Sequence, residues 1–204
     1  MNRAPACVDG PAAGPAYSAG MDEVVQRYLR RSDTFARTVA TVPETGWDAP
    51  TPCGDWTVRD LAAHVAEMNT IHLGRVDTSA PAVPSVTGDP LAAWQSIQRE
   101  VCRGLTDPAI ASVPVGGRLG DWTYAEIIDR AVGVELVVHH WDLARALGWR
   151  ARIDPADVAH LWQTIELVGE EEVRFGFGPA VPAPTDADEQ ARLLAYLGRY
   201  DDGR

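Results

Sequence analysis

Apolar residues return every three or four positions along four long stretches of the chain, the period of a helix that packs on one face. From Met21 to about Val42, Val24, Tyr28, Leu29, Phe35 and Val39 follow one stripe with Arg and Asp between them, and Pro43 ends it. Thr57 opens the second stretch as an N-cap, with Asp60 placing acidic charge near the positive helix end. That helix is expected to run to about Leu73, with Leu61, His64, Val65, Met68 and Ile71 facing inward. Asp89-Pro90 sets a cap before a first-turn proline, and a third helix runs to about Leu105 on Leu91, Trp94, Ile97, Val101 and Leu105. The fourth helix starts at Thr123, where Thr123-x-x-Glu126 spells a capping box, and runs to about Leu147 before Gly148. Its stripe, Tyr124, Ile128, Ala131 and Val132, leads into Glu135, Val138 and His139.

The connections are unequal. Trp47 to Trp56 is a compact, proline-containing loop, whereas residues 74–89 form a long loop without periodicity. Residues 106–120 form another loop, in which Val113-Pro-Val-Gly-Gly suits a short extended piece. Gly54-Asp-Trp-Thr57 recurs as Gly120-Asp-Trp-Thr123. The residues that follow do not match, so the repeat reads as a shared helix-start device and not a duplicated domain. Asp154-Pro155 opens a fifth helix to about Val173, residues 174–186 are expected to be loop, and Glu189 to Leu197 is a short last helix. Residues 1–19 carry no stripe to dock and read as a flexible tail, with Met21 an alternative start. The folded domain is therefore expected over residues 20–200.

Composition narrows the functions. A net charge of −11 argues against nucleic acid and anionic membrane surfaces as partners. No apolar run reaches transmembrane length, and the first twenty residues lack the apolar core of a signal peptide. Cys7, Cys53 and Cys102 show no paired spacing, which predicts reduced thiols and a cytoplasmic setting.

Glu135 and His139 are four residues apart, so a helix stacks a carboxylate and an imidazole on one face. Burying an unpaired carboxylate is expensive, so Glu135 needs a partner. A divalent metal would serve, and so would an ordinary Glu–His contact. His64 is the imidazole in the middle of the second helix's stripe, either a hydrogen-bonded core residue or a third ligand. Four main helices with the long loop between the second and third suggest a four-helix bundle with a crossover. His64 lies about 10 Å beyond its helix start, and Glu135 and His139 lie about 18 and 24 Å beyond theirs. Parallel helices with level starts would miss; antiparallel helices in a bundle roughly 30 Å long bring the groups to one level. An up-down-down-up bundle does this. Two His and one Glu would leave a zinc ion an open position for water or substrate.

Asp142, three residues past His139, either accepts from an imidazole N–H behind the ligands or pairs with Arg59 or Arg145. Cys53, just before a helix start, is a rival nucleophile or a small buried residue in a tight turn. His140 points about 100° away from His139 and is expected outside the ligand set. His72 and His160 read as surface or satisfied residues.

Thr51-Pro-Cys-Gly-Asp-Trp-Thr-Val-Arg-Asp-Leu-Ala-Ala-His64 and Val138-His-His-Trp-Asp-Leu-Ala-Arg-Ala-Leu-Gly148 resemble the mycothiol-dependent maleylpyruvate isomerase metal-binding family of the DinB-like superfamily. Phe177-Gly-Pro-Ala-Val and Gln190-Ala-Arg-Leu-Leu-Ala-Tyr-Leu-Gly-Arg199 are similar to its single-domain actinobacterial branch. The resemblance covers about residues 21–200. It implies an all-α, DinB-like four-helix bundle of up-down-down-up topology, here with short C-terminal helices. It also implies a divalent metal, usually zinc, with ligands falling on His64, Glu135 and His139. Its characterised members use a small-molecule thiol, mycothiol, whose metal-held thiolate attacks an electrophilic substrate. A thiol-dependent transferase or isomerase follows as the expected function. The isomerase carries a further C-terminal domain, and this chain has only a short helical tail, so the metal site carries over and the isomerase reaction does not. Two other readings compete: a zinc hydrolase with Glu67 or Asp142 as base, and a non-catalytic domain stiffened by its metal.

Overall fold

A computed structural model describes residues 15–78, 88–118 and 120–201, with side chains from residue 20 on. In chain order the helices are α1 (Pro15–Ala40), α2 (Val58–Val76), α3 (Pro90–Thr106), α4 (Pro108–Ala111), α5 (Tyr124–Ile127), α6 (Gly133–Ala146), α7 (Pro155–Val168), α8 (Glu170–Phe177) and α9 (Glu189–Tyr196). A 3-10 turn, Glu44–Gly46, follows α1, and a π-helical turn, Ile128–Val132, joins α5 to α6 in one continuous rod. Among the described residues the chain is all-helical; the only extended pairing is two isolated bridges, Pro50 to Thr57 and Pro114 to Thr123. No helix among them is long and apolar enough to cross a membrane.

The repeated Gly-Asp-Trp-Thr device takes the same form twice. Gly54 and Gly120 adopt positive φ, 62° and 74°, which turns each loop back so that the Thr pairs with the preceding extended residue. Each Thr then caps its helix reciprocally: Thr57 with Asp60 and Thr123 with Glu126. Val113 and Val115 supply the expected extended piece, bonded to Tyr124 and Trp122.

Contacts between helices fix the direction of each. Arg27 and Thr38 of α1 meet Asp129 and His140 in that order, so α1 and the α5–α6 rod run parallel. Arg103 in the last turn of α3 bonds Asp77 just past α2 at 2.8 Å, so α2 and α3 also run parallel. Leu73 and Tyr124 both flank Gly104 while His64 meets Glu135, so α2 and the rod are antiparallel. This is the up-down-down-up arrangement of the DinB-like bundle. Its core holds Phe35, Leu61, Trp94, Ile97, Leu105, Tyr124, Ile128, Leu136 and Leu143. A second core joins Val134, Val138 and Trp141 of α6 to Leu161 and Ile165 of α7 and Leu193 and Leu194 of α9. Helix α6 is thus buried on nearly every side and belongs to both.

Several expectations give way. Helix α1 begins at Pro15, inside the expected tail; residues 1–14 lie outside the described residues. Gly169, at φ 82°, splits the expected fifth helix. Glu170, Glu171 and Glu172 then start α8, which runs on to Phe177, into the residues 174–186 expected to be loop. Asp107-Pro108 opens α4 by the same cap-then-proline signal seen at Asp89-Pro90. Ile71 is exposed and His72 takes the buried position, with its Nδ1 lacking any partner among the described residues. Cys102 is disulfide-bonded, against the expected three reduced thiols, while Cys53 is a free thiol.

Candidate metal centre

The centre is built at the seam of the two cores. The capping box at Thr57 fixes the start of α2 and so the height of His64. The capping box at Thr123 and the π turn together set the height and face of Glu135 and His139 on the rod. His64 Nε2 lies 3.1 Å from Glu135 Oε2, and His139 Nε2 lies 2.7 Å from the same oxygen. One donor atom from each of the three residues lies within 4.8 Å of the others. The two imidazoles meet edge to face at 5.3 Å. Trp56 packs against the His64 ring at 4.6 Å and the His139 ring at 6.2 Å, and Phe177 lies 6.3 Å from His139. The structure therefore brings together all three residues that the sequence singles out, from helices 71 positions apart at His64 and Glu135.

The electrostatics follow from burial and crowding. Burial pushes the Glu135 carboxyl up, but His139 and His64 together outweigh it and hold the group well below the usual carboxylate range. Burial pushes His139 down, yet Glu135 and Asp142 on its two sides raise it to about 9 in the metal-free protein.

The donor set suits a divalent ion. Both Nε2 atoms converge on one carboxylate oxygen, and the ring orientation leaves His139 Nδ1 for a different task. That atom lies 3.0 Å from Asp142 Oδ2. A carboxylate bonded to the far nitrogen of an imidazole fixes the Nδ1–H tautomer and leaves Nε2 free to bind. Asp142 thus takes the role behind the ligands and pairs with neither Arg named as its alternative partner; Arg59 instead bonds Asp48.

Of the remaining candidates the other histidines separate from the site, whereas Cys53 stays beside it, with its Sγ within 4.8 Å of a ligand atom of His139 and of Asp142. His140 turns away to α1, where its Nδ1 meets Thr38 Oγ1 at 3.1 Å, and burial lowers it to about 4. His160 is satisfied between Arg31 and Asp129. Cys53 is half-buried at the edge of the site. Its Sγ accepts from Arg199 at 3.3 Å, and burial, the largest influence, raises the thiol although Arg199 acts the other way. That opposes the activation a nucleophile needs. Glu67 lies exposed on α2.

Three residues at this site escaped the sequence reading. Trp56 sat inside the repeated motif but was read only as part of a cap. Phe177 and Arg199 sat in the C-terminal motifs of the resemblance, and no spacing links either to His139. Arg199 reaches Asp142 through two bonds, Nε to Oδ1 at 3.2 Å and Nη2 to Oδ2 at 2.9 Å.

With this geometry, comparison with known proteins gives the class. The family model for the mycothiol maleylpyruvate isomerase N-terminal domain matches residues 28–144, and the chain belongs to that family. It is also similar to two Mycobacterium tuberculosis proteins: uncharacterized protein MT0763 of strain CDC 1551 / Oshkosh and uncharacterized protein Rv0738 of strain ATCC 25618 / H37Rv. Each is 30% identical over 175 residues, covering 84% of this chain and 95% of the relative. No solved structure matches the chain. The family is a mycothiol-related, metal-binding one, and this member carries a group of side chains fit to hold an ion.

Proposed function

We propose that this protein holds one zinc ion through His64 Nε2, the Glu135 carboxylate and His139 Nε2, and serves a transferase or isomerase reaction that uses a small thiol of the mycothiol type. The observation that carries the reading is the convergence of both Nε2 atoms on one Glu135 oxygen, at 3.1 and 2.7 Å. A metal bound there would lower the pKa of a thiol and keep it as thiolate at neutral pH beside an electrophile. The chain's own residues supply the rest. Glu135 contributes the negative charge that offsets part of a divalent ion's. Asp142 keeps the His139 proton on Nδ1, so that Nε2 presents its lone pair. Trp56 packs against both imidazoles and Phe177 against that of His139, which steadies the rings.

The hydrolase reading loses one of its two bases here. Asp142 is fully buried, with both oxygens engaged by Arg199 and one also by His139. A group so held is not free to take a proton from water.

Elemental analysis of purified protein should give one zinc per chain. His64→Ala, Glu135→Ala and His139→Ala should each abolish stoichiometric metal, because two ligands hold zinc poorly, while His140→Ala should retain it. Mycothiol should then raise the melting temperature of the zinc-loaded parent and leave that of His64→Ala unchanged. A parent that binds no metal, or binds it equally well without His64, would refute the ligand set.

A further inference from the structure

This inference rests on the metal reading above. Arg199 comes from a part of the chain that the family match over residues 28–144 does not reach. It follows α9, where Gly198 at φ 80° turns the chain back and the Arg199 amide donates to Leu194 O at 2.8 Å. The turn leaves little room for a side chain: a Cβ on Gly198 would lie 3.0 Å from Pro179 O. The Arg199 side chain is buried and every arm of its guanidinium is engaged. Nη1 donates to Leu197 O at 2.7 Å, and Nε and Nη2 hold both oxygens of Asp142. The plane lies over the Phe177 ring at 5.1 Å.

Asp142 Oδ2 is shared between Arg199 and His139 Nδ1, at 2.9 and 3.0 Å. An acceptor that orients a ligand is only as fixed as its own partners. A planar two-pronged donor fixes both carboxylate oxygens at once, which a single ammonium does not. We propose that Arg199 is a positioning residue of the metal centre: by clamping Asp142 it sets the ring of His139, so this one side chain of the C-terminal segment tunes metal affinity without being a ligand.

The alternative is that Arg199 merely pins α9 to the bundle. Leu193→Ala tests that, since Leu193 is fully buried in the second core and the same helix carries it. The zinc affinity of the full chain is measured by competition with a chromophoric chelator, and the cobalt-loaded protein is examined by visible absorption. Arg199→Ala should weaken zinc binding by about 10-fold, the low end of the loss usual when the partner bonded directly to a metal ligand, here Asp142, is removed. It should also shift the cobalt bands, at an unchanged stoichiometry of one. Arg199→Lys, which keeps the charge in the buried site, should be weakened less and still measurably. It decides the matter if Arg199→Ala does not fold by far-ultraviolet circular dichroism. Leu193→Ala should lower the melting temperature while keeping the parent's affinity and bands. Parent affinity and parent cobalt bands in the folded Arg199 variants would overturn the proposal, and so would equal weakening in Leu193→Ala. A parent without stoichiometric metal would overturn the metal reading and this proposal with it.

Discussion

Gly133→Ala puts two rules in opposition. Gly133 opens α6, and replacing Gly by Ala inside a helix ordinarily stabilises by about 0.5–1 kcal/mol. A Cβ built on Gly133, however, would lie 2.2 Å from Arg31 Nη1, where ordinary contact begins at 3.4 Å. The end of an arginine side chain usually moves aside at little cost. Here it cannot do so freely. Arg31 is buried; its Nε and Nη2 reach Asp157 Oδ1 at 2.8 and 2.7 Å, and its Nη1 donates to Asp129 O at 3.1 Å. Nη2 also meets His160 Nδ1 at 2.9 Å. Clearing the methyl breaks at least one of these charged bonds, each worth about 1.5–3 kcal/mol. After the helix gain is deducted, the loss of one such bond should leave Gly133→Ala destabilised by about 0.5–2.5 kcal/mol, a drop of roughly 1–10 °C in melting temperature for a chain of this size. Circular dichroism at the helix band during heating measures it. Gly74→Ala is the control: Gly74 is helical and exposed with nothing near its Cβ position, and it should gain about 0.5–1 kcal/mol. A Gly133→Ala variant that melts as high as Gly74→Ala would show that Arg31 is not clamped.

Thr123→Ala removes the hydroxyl that accepts from the Glu126 amide at 3.3 Å, and should cost about 1 kcal/mol in urea unfolding; an unchanged midpoint would mean the cap contributes nothing. The metal-free protein should be most stable near pH 6.5. His72 and His140, each lowered by burial from 6.5 to about 4, take up protons in the unfolded chain first, so stability falls as pH drops from 6.5 toward 4. His139, raised to about 9, contributes stability that is full below 6.5 and is lost as pH rises through 9. A melting temperature that climbs steadily from pH 6.5 to 9 would contradict the alkaline side.

The parts of this structure that were legible in the sequence are those governed by short-range chemistry. Thr57, Asp89, Thr123 and Asp154 all cap helices, because a short oxygen side chain before an apolar stripe has few other uses. Rise per residue was enough to level His64 with Glu135. Periodicity misled where a helix has no polar face. It placed Tyr124, Ile128 and Ala131 on one stripe with Glu135, although α6 lies between two cores and a π turn intervenes. Gly169 gave no warning of its positive φ inside an otherwise unbroken apolar pattern, though the three glutamates after it were a usable sign of a new helix. Arg199 was out of reach, because a contact across 57 positions leaves no spacing to read.

The π turn has a consequence for which residues of α6 face His64. Such a turn carries one residue more than an α-helical turn, so each residue after it stands where its predecessor would in an unbroken helix. At about 100° per residue, Val134 and Val138 would otherwise occupy the places that Glu135 and His139 hold. A carboxylate and an imidazole replace two valines there with no change in the amino acids themselves, only in the count. The composition of that face is therefore a property of chain length between Thr123 and Gly133. Loss of a single codon within Ile128–Val132 that closed the turn into regular helix would leave Glu135 and His139 on the same face, in register with Tyr124 and Ile127. The same loss within Leu136–Val138 would swing His139 by about 100° round the helix relative to Glu135.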